Sequence, residues 1–192
     1  QHAFQTHYQR AVTLADIQPY MGKPLRAAME VMAPGEEDAV IATYRAFNNL
    51  HHDQLAGVFD GVPEVIRSLY AADVKLAIVT SKTSSMARRG LRLFDLEQYF
   101  SAVIGLEETV RHKPEPEPVL TALQATNLSA SECIMVGDSS HDLLSGRSAG
   151  LKTAAVRWSQ VPWVDLLTVN PDYVLETMTD LLQIVLPTSK EG

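Results

Sequence analysis

From Gly61 onward, short apolar runs alternate with segments of helical period. Lys75–Val79, Ala102–Ile104, Cys133–Val136 and Thr153–Val156 read as strands, and Tyr173–Val174 as a short edge strand. Between and after them, Val62–Ala72, Ser84–Phe94, Glu117–Thr126, Leu143–Gly150, Val164–Leu167 and Thr179–Leu186 read as helices, with Pro63 tolerated in a first helical turn. Ile134, Met135 and Val136 are apolar without alternation, which suits a strand covered on both faces. The alternation predicts an α/β fold with a parallel sheet and helices on both of its faces.

The first sixty residues follow another pattern. Gln1–Thr13, Pro24–Met32 and Glu36–Leu55 each suit a helix, with Gly22 and the Pro34-Gly35 pair as breaks and no convincing strand. We expect a small helical unit over residues 1–58 and the α/β unit over 59–192. The Pro-Glu-Pro-Glu-Pro run at 114–118 is too short for a linker and reads as a rigid entry into the following helix.

Composition narrows the function. The chain has 192 residues, 46% hydrophobic and 20% charged, as in an ordinary globular domain. Its formal net charge is −7 with no basic run, which argues against a nucleic-acid partner. No apolar run is long enough to span a membrane and no signal peptide is apparent, so a cytoplasmic location is expected. Cys133 is the only cysteine, which excludes an intrachain disulfide and fits a small core residue.

Candidate chemistry gathers at strand ends. The Cys133–Val136 strand stops at Gly137-Asp138, and Asp142 follows four residues later. In open α/β sheets ligands bind at the carboxyl edge of the strands. Two carboxylates there, with no Lys or Arg beside them, suit Mg²⁺, which takes one or two carboxylates and completes its shell with water and phosphate oxygens. The alternative is that Asp138 or Ser139 caps the next helix. The Lys75–Val79 strand ends in Thr80-Ser81-Lys82, where hydroxyls and first-turn N–H groups could hold a phosphate oxygen, or where Thr80 or Ser81 could be a plain N-cap. Lys113 precedes Pro114, which restricts it to extended backbone and would aim its ammonium from a loop; a solvated lysine is the other reading.

In chain order these features are an apolar strand ending in Thr80, a loop Lys113 followed by Pro114, and a strand ending in Gly137-Asp138 with Asp142 beyond. Together they resemble motifs two, three and four of the haloacid dehalogenase (HAD) superfamily of phosphatases. Phe59-Asp60-Gly61-Val62 is similar to that family's entry from a cap into its core, and the helical residues 1–58 are similar to its small cap. Within the family the likeness is to the phosphoglycolate phosphatase group and its bacterial pyrophosphatases, on Tyr44-Arg45-x-Phe47-Asn48, His51-His52-Asp53, Asp172-Tyr173 and Met178–Ile184.

The resemblance implies a Rossmann-like core and two-step phosphoryl transfer through a phospho-aspartyl intermediate. It assigns phosphoryl binding to Thr80 and Ser81, charge balance to Lys113, and Mg²⁺ to Asp138 with Asp142. Gly22 and Lys23 in the break between cap helices, with Arg26 nearby and Arg45 on the third, are implied substrate contacts. The family's first motif, a strand ending in Asp-x-Asp-x-Thr that carries the nucleophile and the general acid/base, is not found in these residues. We therefore expect the first, central core strand to be missing from a truncated sequence, and the 192 residues alone to be inactive.

The expected activity is Mg²⁺-dependent hydrolysis of a small anionic phosphorylated metabolite such as phosphoglycolate by a monomer or weak homodimer. Inorganic pyrophosphatase on the same scaffold is the alternative, and a non-catalytic binding relative is a third reading. Mutase activity would need a cap acid/base that the sequence does not identify. A metal site at His51-His52-Asp53 is disfavoured because adjacent helical side chains diverge.

Overall fold

The helical unit forms where apolar residues recur at helical spacing and turn residues interrupt them. In the computed structural model, which describes residues 1–186, it comprises α1 (His2–Tyr8), α2 (Leu14–Ile17), α3 (Leu25–Met32) and α4 (Glu37–Leu55). The single helix expected over 1–13 is broken. Gln9 closes α1 in the left-handed conformation at φ 51°, and Thr13 caps α2 in a reciprocal box with Asp16. α1 and α3 pack on α4 around a cluster that includes Phe4, Val12, Met29, Val40 and Ile41.

The second unit is built from α5 (Val62–Ala71), β1 (Leu76–Val79), α6 (Ser84–Leu93), β2 (Phe100–Ile104), α7 (Glu117–Thr126), β3 (Ile134–Gly137), α8 (Ser140–Ser148), β4 (Lys152–Val156), α9 (Trp163–Leu167), β5 (Tyr173–Leu175) and α10 (Asp180–Val185). The expected unit 59–192 extends over residues 187–192, which lie outside the described residues. α8 begins three residues before the predicted Leu143, because Ser139 and Asp142 cap each other's backbone and start the helix early.

All strand pairs are parallel, but they form two ladders instead of one sheet: β1–β2, and β3–β4–β5. Leu69, Leu143, Leu166 and Leu175 are fully buried, each contributing roughly 1.5–3 kcal/mol. β4 is buried except at Lys152, as a central strand should be. β1 and β3 are only half-buried for most of their length. Their side chains line an apolar slot of about 900 Å³, with Leu76, Ile78, Ile134, Val136, Leu69 and Leu181 among its walls. Among the described residues, no ladder joins β1 to β3.

Candidate active site

β1 ends at Val79-Thr80 and β3 at Gly137-Asp138. The carboxyl ends of both strands meet at a hollow of about 280 Å³ lined by Val79, Thr80, Lys113, Met135, Val136, Gly137, Asp138, Asp142 and Val156. The structure thus brings Thr80, Lys113 and the Asp138/Asp142 pair to one rim, although they are spread over 62 positions of sequence.

Lys113 and Asp142 form the buried centre of this rim. Lys113 Nζ donates to Asp142 Oδ1 at 2.6 Å and to the Val79 carbonyl at 3.2 Å, so one ammonium ties the end of β1 to the first turn of α8. Both side chains are about 7% exposed. Asp142 Oδ2 accepts from the Ser139 N–H at 3.1 Å and the Ser139 hydroxyl at 2.7 Å. Burial alone would raise the Asp142 pKa, but Lys113 and Ser139 outweigh it and hold the carboxyl below its ordinary 3.8. Gly137 permits this closeness: a Cβ there would lie 2.3 Å from the Asp142 Cβ. Asp142 therefore has both oxygens committed, and the capping alternative from the sequence describes its local role together with Ser139.

Asp138 is different. Its side chain opens into the hollow, while protein packs on its other sides and Asp142 stands beside it. Desolvation first, then the negative charge of Asp142, push its pKa up to about 6. Its own carbonyl accepts from the Ser159 hydroxyl at 2.5 Å, which ties the β4–α9 loop to the rim. A carboxylate raised in this way and facing open space suits a hard cation, because the only buried ammonium of the rim is already paired with Asp142.

The β1–α6 loop is arranged otherwise than expected. The Thr80 hydroxyl accepts from the Lys82 N–H at 3.2 Å, a local turn that leaves Thr80 on the wall of the hollow. Ser81 instead donates its hydroxyl to the Gly22 carbonyl at 2.8 Å and fastens the cap to the core. The first-turn N–H of α6 at Ser84 is taken by Glu107, whose carboxylate also accepts from the Ser84 hydroxyl at 2.6 Å. That N–H is thus satisfied from within the protein.

Gly22 lies over the rim at φ +81°, and a Cβ there would fall 2.5 Å from Ser139 Oγ. Only a residue without a side chain lets the cap loop descend this far. Lys23 follows, with its ammonium 5.4 Å from the Tyr20 ring. Arg26 is turned to the surface in an ion pair with Asp38, away from the role considered for it. Arg45 is exposed and has no ion pair among the described residues.

A second seam joins cap to core. Arg89 of α6 donates to Asp53 at 2.8 Å and to the Asn49 carbonyl at 2.9 Å, the His52 ring lies against Gly90, and Asn48 Nδ2 reaches Met86 Sδ at 3.7 Å. His52 Nδ1 pairs with Asp53 at 2.8 Å and His51 packs on Phe47. Among the described residues, no group of three or more His, Cys, Asp or Glu side chains is assembled as a metal site.

Comparison with known proteins fits this geometry. A family model described as haloacid dehalogenase-like hydrolase matches residues 1–156. The chain belongs to the haloacid dehalogenase-like hydrolases. Two curated relatives are the pyrophosphatase PpaX of Anoxybacillus flavithermus, 39% identical with 98% of this chain and 88% of the relative covered, and the pyrophosphatase PpaX of Listeria monocytogenes, 40% identical with 95% and 86% covered. Among solved structures, a haloacid dehalogenase-like family hydrolase from Streptococcus pneumoniae superposes with TM-score 0.84 at 22% identity, covering 95% of this chain and 86% of that one. A structure described as a predicted phosphoglycolate phosphatase from Haemophilus somnus gives 0.80 at 21% identity, with 95% and 86% covered. These structural likenesses bear on the fold: a HAD-like α/β core with parallel strands and helices. No helix among the described residues is long and apolar enough to cross a membrane.

Sequence reading missed three groups in this HAD hydrolase. Ser139 is not among them: read as a possible cap, it is the capping-box partner of Asp142. Glu107 and Arg89 act on partners 23, 36 and 40 positions away, and no local pattern marks them. His141 lies beside Gly22 and within the field of Lys23 and Lys113, with no motif to single it out.

Proposed function

We propose that this HAD hydrolase is a Mg²⁺-dependent pyrophosphatase. The observation that carries the reading is the convergence of Thr80, Lys113, Asp138 and Asp142 on one hollow beneath a cap loop bearing Lys23. The PpaX relatives, near 40% identical, favour a phosphoric anhydride over the phosphoglycolate-like ester that the sequence put first. The phosphoglycolate phosphatase likeness, at 21% identity, keeps a small monoester as the second reading.

In this proposal Thr80 borders the transferring phosphoryl group and Lys113 supplies positive charge at its edge while holding Asp142. Asp138 would hold Mg²⁺, which when bound neutralises phosphoryl oxygens and orients them. Asp142 supports the site through Lys113 and Ser139. In the phospho-aspartyl route the nucleophile would be an aspartate carboxylate presented at this rim. That aspartate's oxygen bonds to phosphorus as the bridging oxygen leaves, and water then cleaves the acyl phosphate to release orthophosphate.

Arg45 enters through the register of α4 on α6. Asn48 meets Met86 and His52 meets Gly90, so the two helices run in the same direction. Continued one turn back, this register would bring Arg45 level with the start of α6, which supports a substrate contact from α4. The test is a substrate screen of the full-length protein with Mg²⁺ against pyrophosphate, phosphoglycolate and p-nitrophenyl phosphate. Steep preference for pyrophosphate is expected; preference for phosphoglycolate would favour the second reading, and no turnover of any would refute both.

A further inference from the structure

A half-buried imidazole stands where the cap loop meets the rim, and the chemistry above gives it no task. His141 sits in the first turn of α8, between Ser140 and Asp142. The position a Cβ of Gly22 would take is 3.9 Å from His141 Nδ1, so the ring lies directly under the cap loop. Neither ring nitrogen has a hydrogen-bond partner among the described residues, although the ring is only partly exposed. Burial, then the neighbouring ammonium of Lys23, push its pKa below the ordinary 6.5, and Lys113 acts in the same direction while Asp142 opposes. In either protonation state the imidazole has at least one N–H to give.

Its position has a consequence for substrate choice. The hollow that Thr80, Lys113 and Asp138 line does not include His141 or Lys23. These two stand on the cap side, where a group still attached to the transferring phosphorus would project. For p-nitrophenyl phosphate that group carries no formal net charge; for pyrophosphate it is a second phosphoryl with several acceptor oxygens. A hydrogen-bond donor and an ammonium suit the latter.

Resting on the pyrophosphatase reading, we propose that His141, with Lys23, binds the departing phosphoryl group and thereby sets the preference for pyrophosphate over monoesters whose leaving group is uncharged in the substrate. A site built to hydrogen-bond a group discriminates against substrates lacking it, because its own polar atoms are then left unpaired.

The experiment compares wild-type full-length protein with His141→Leu, which fills the space without a donor, and His141→Gln, which keeps one. Steady-state kinetics with Mg²⁺ would be measured on pyrophosphate and p-nitrophenyl phosphate, with melting curves to establish folding. Calorimetry would measure binding of imidodiphosphate and of orthophosphate. For His141→Leu we expect the pyrophosphate-to-monoester ratio of kcat/KM to fall about tenfold, mainly through KM, and imidodiphosphate binding to weaken by a similar factor. His141→Gln should recover much of both. An unchanged ratio, equal loss on both substrates, or equal loss in Leu and Gln variants that fold would overturn the proposal. If wild type turns over neither compound, the pyrophosphatase reading fails, while imidodiphosphate binding still judges His141: weaker binding in the Leu variant alone supports it and unchanged binding rejects it.

Discussion

Replacing Lys113 by Met tests whether the rim is held by its buried ion pair. The side chain is nearly isosteric, so the change removes charge and little volume. What remains is an Asp142 carboxylate at about 7% exposure with its 2.6 Å partner gone. Leaving one member of a buried pair uncompensated costs roughly 3–5 kcal/mol. Ser139 still donates twice to Oδ2, which places the expectation near the lower end, about 3 kcal/mol. For a chain of this size that corresponds to a fall in Tm of about 6–12 °C. The charge-balancing role that the resemblance implies for Lys113 predicts a loss of activity; its burial adds a stability cost.

The pH dependence gives the test its sign. In the wild type Asp142 has a folded pKa below the ordinary 3.8. Its contribution is thus fully present above that value and is lost as pH falls through the folded pKa. In Lys113→Met burial dominates, the Asp142 pKa rises, and the variant becomes relatively more stable as it takes up a proton. The gap between the two proteins, measured by urea unfolding, should be widest near pH 7 and should narrow toward pH 4. Adding Asp142→Asn should recover about 2 kcal/mol, since the amide oxygen can still accept from Ser139 without a charge. A gap below about 1 kcal/mol at pH 7, the value of an exposed pair, or one that does not change with pH, would refute the reasoning.

Three further outcomes follow from the same geometry. Gly137→Ala should destabilise by about 1–3 kcal/mol or more and abolish turnover, because the added Cβ meets the Asp142 Cβ at 2.3 Å; a variant with wild-type Tm and kcat would contradict the packing. Asp138→Asn should raise the Mg²⁺ concentration for half-activity. In the metal-free protein it should also stabilise at pH 8, because the wild-type carboxyl, raised to about 6, resists ionisation as pH climbs from its ordinary 3.8; melting curves at pH 4 and pH 8 that shift alike would count against this. Asp172 accepts from Lys152, the Thr153 N–H and the Thr153 hydroxyl, and its pKa is lowered to about 2. Asp172→Ala should therefore lower Tm by about 2–4 °C near neutral pH, with the deficit shrinking as pH drops from 3.8 toward 2, measured by circular dichroism.

Much of this was legible in the chain. Strands β2 to β4 and helix α7 fall where short apolar runs and helical spacing placed them, since burial on both faces leaves a continuous apolar signature. Thr80 and Asp138 stood out because each follows an abrupt change from apolar strand to polar loop, and Lys113 because Pro114 follows it. The helix expected over 1–13 failed at Gln9, where a left-handed residue ends α1 without the glycine that usually announces such a turn. That Ser81 meets the Gly22 carbonyl was not legible, because a hydroxyl after a strand looks the same whether it faces a ligand or a cap carbonyl.

Local pattern, then, determined which segments are strands or helices and which residues carry chemistry, because periodicity and turn residues act over a few positions. Only the tertiary structure decided that Lys113 is bound to Asp142, that Asp138 is the acid left facing the hollow, and that Gly22 brings Lys23 and His141 to the same rim. Those outcomes depend on how strand ends align and how close two backbones approach. Both are set by packing between residues far apart in the chain, where no sequence period reaches.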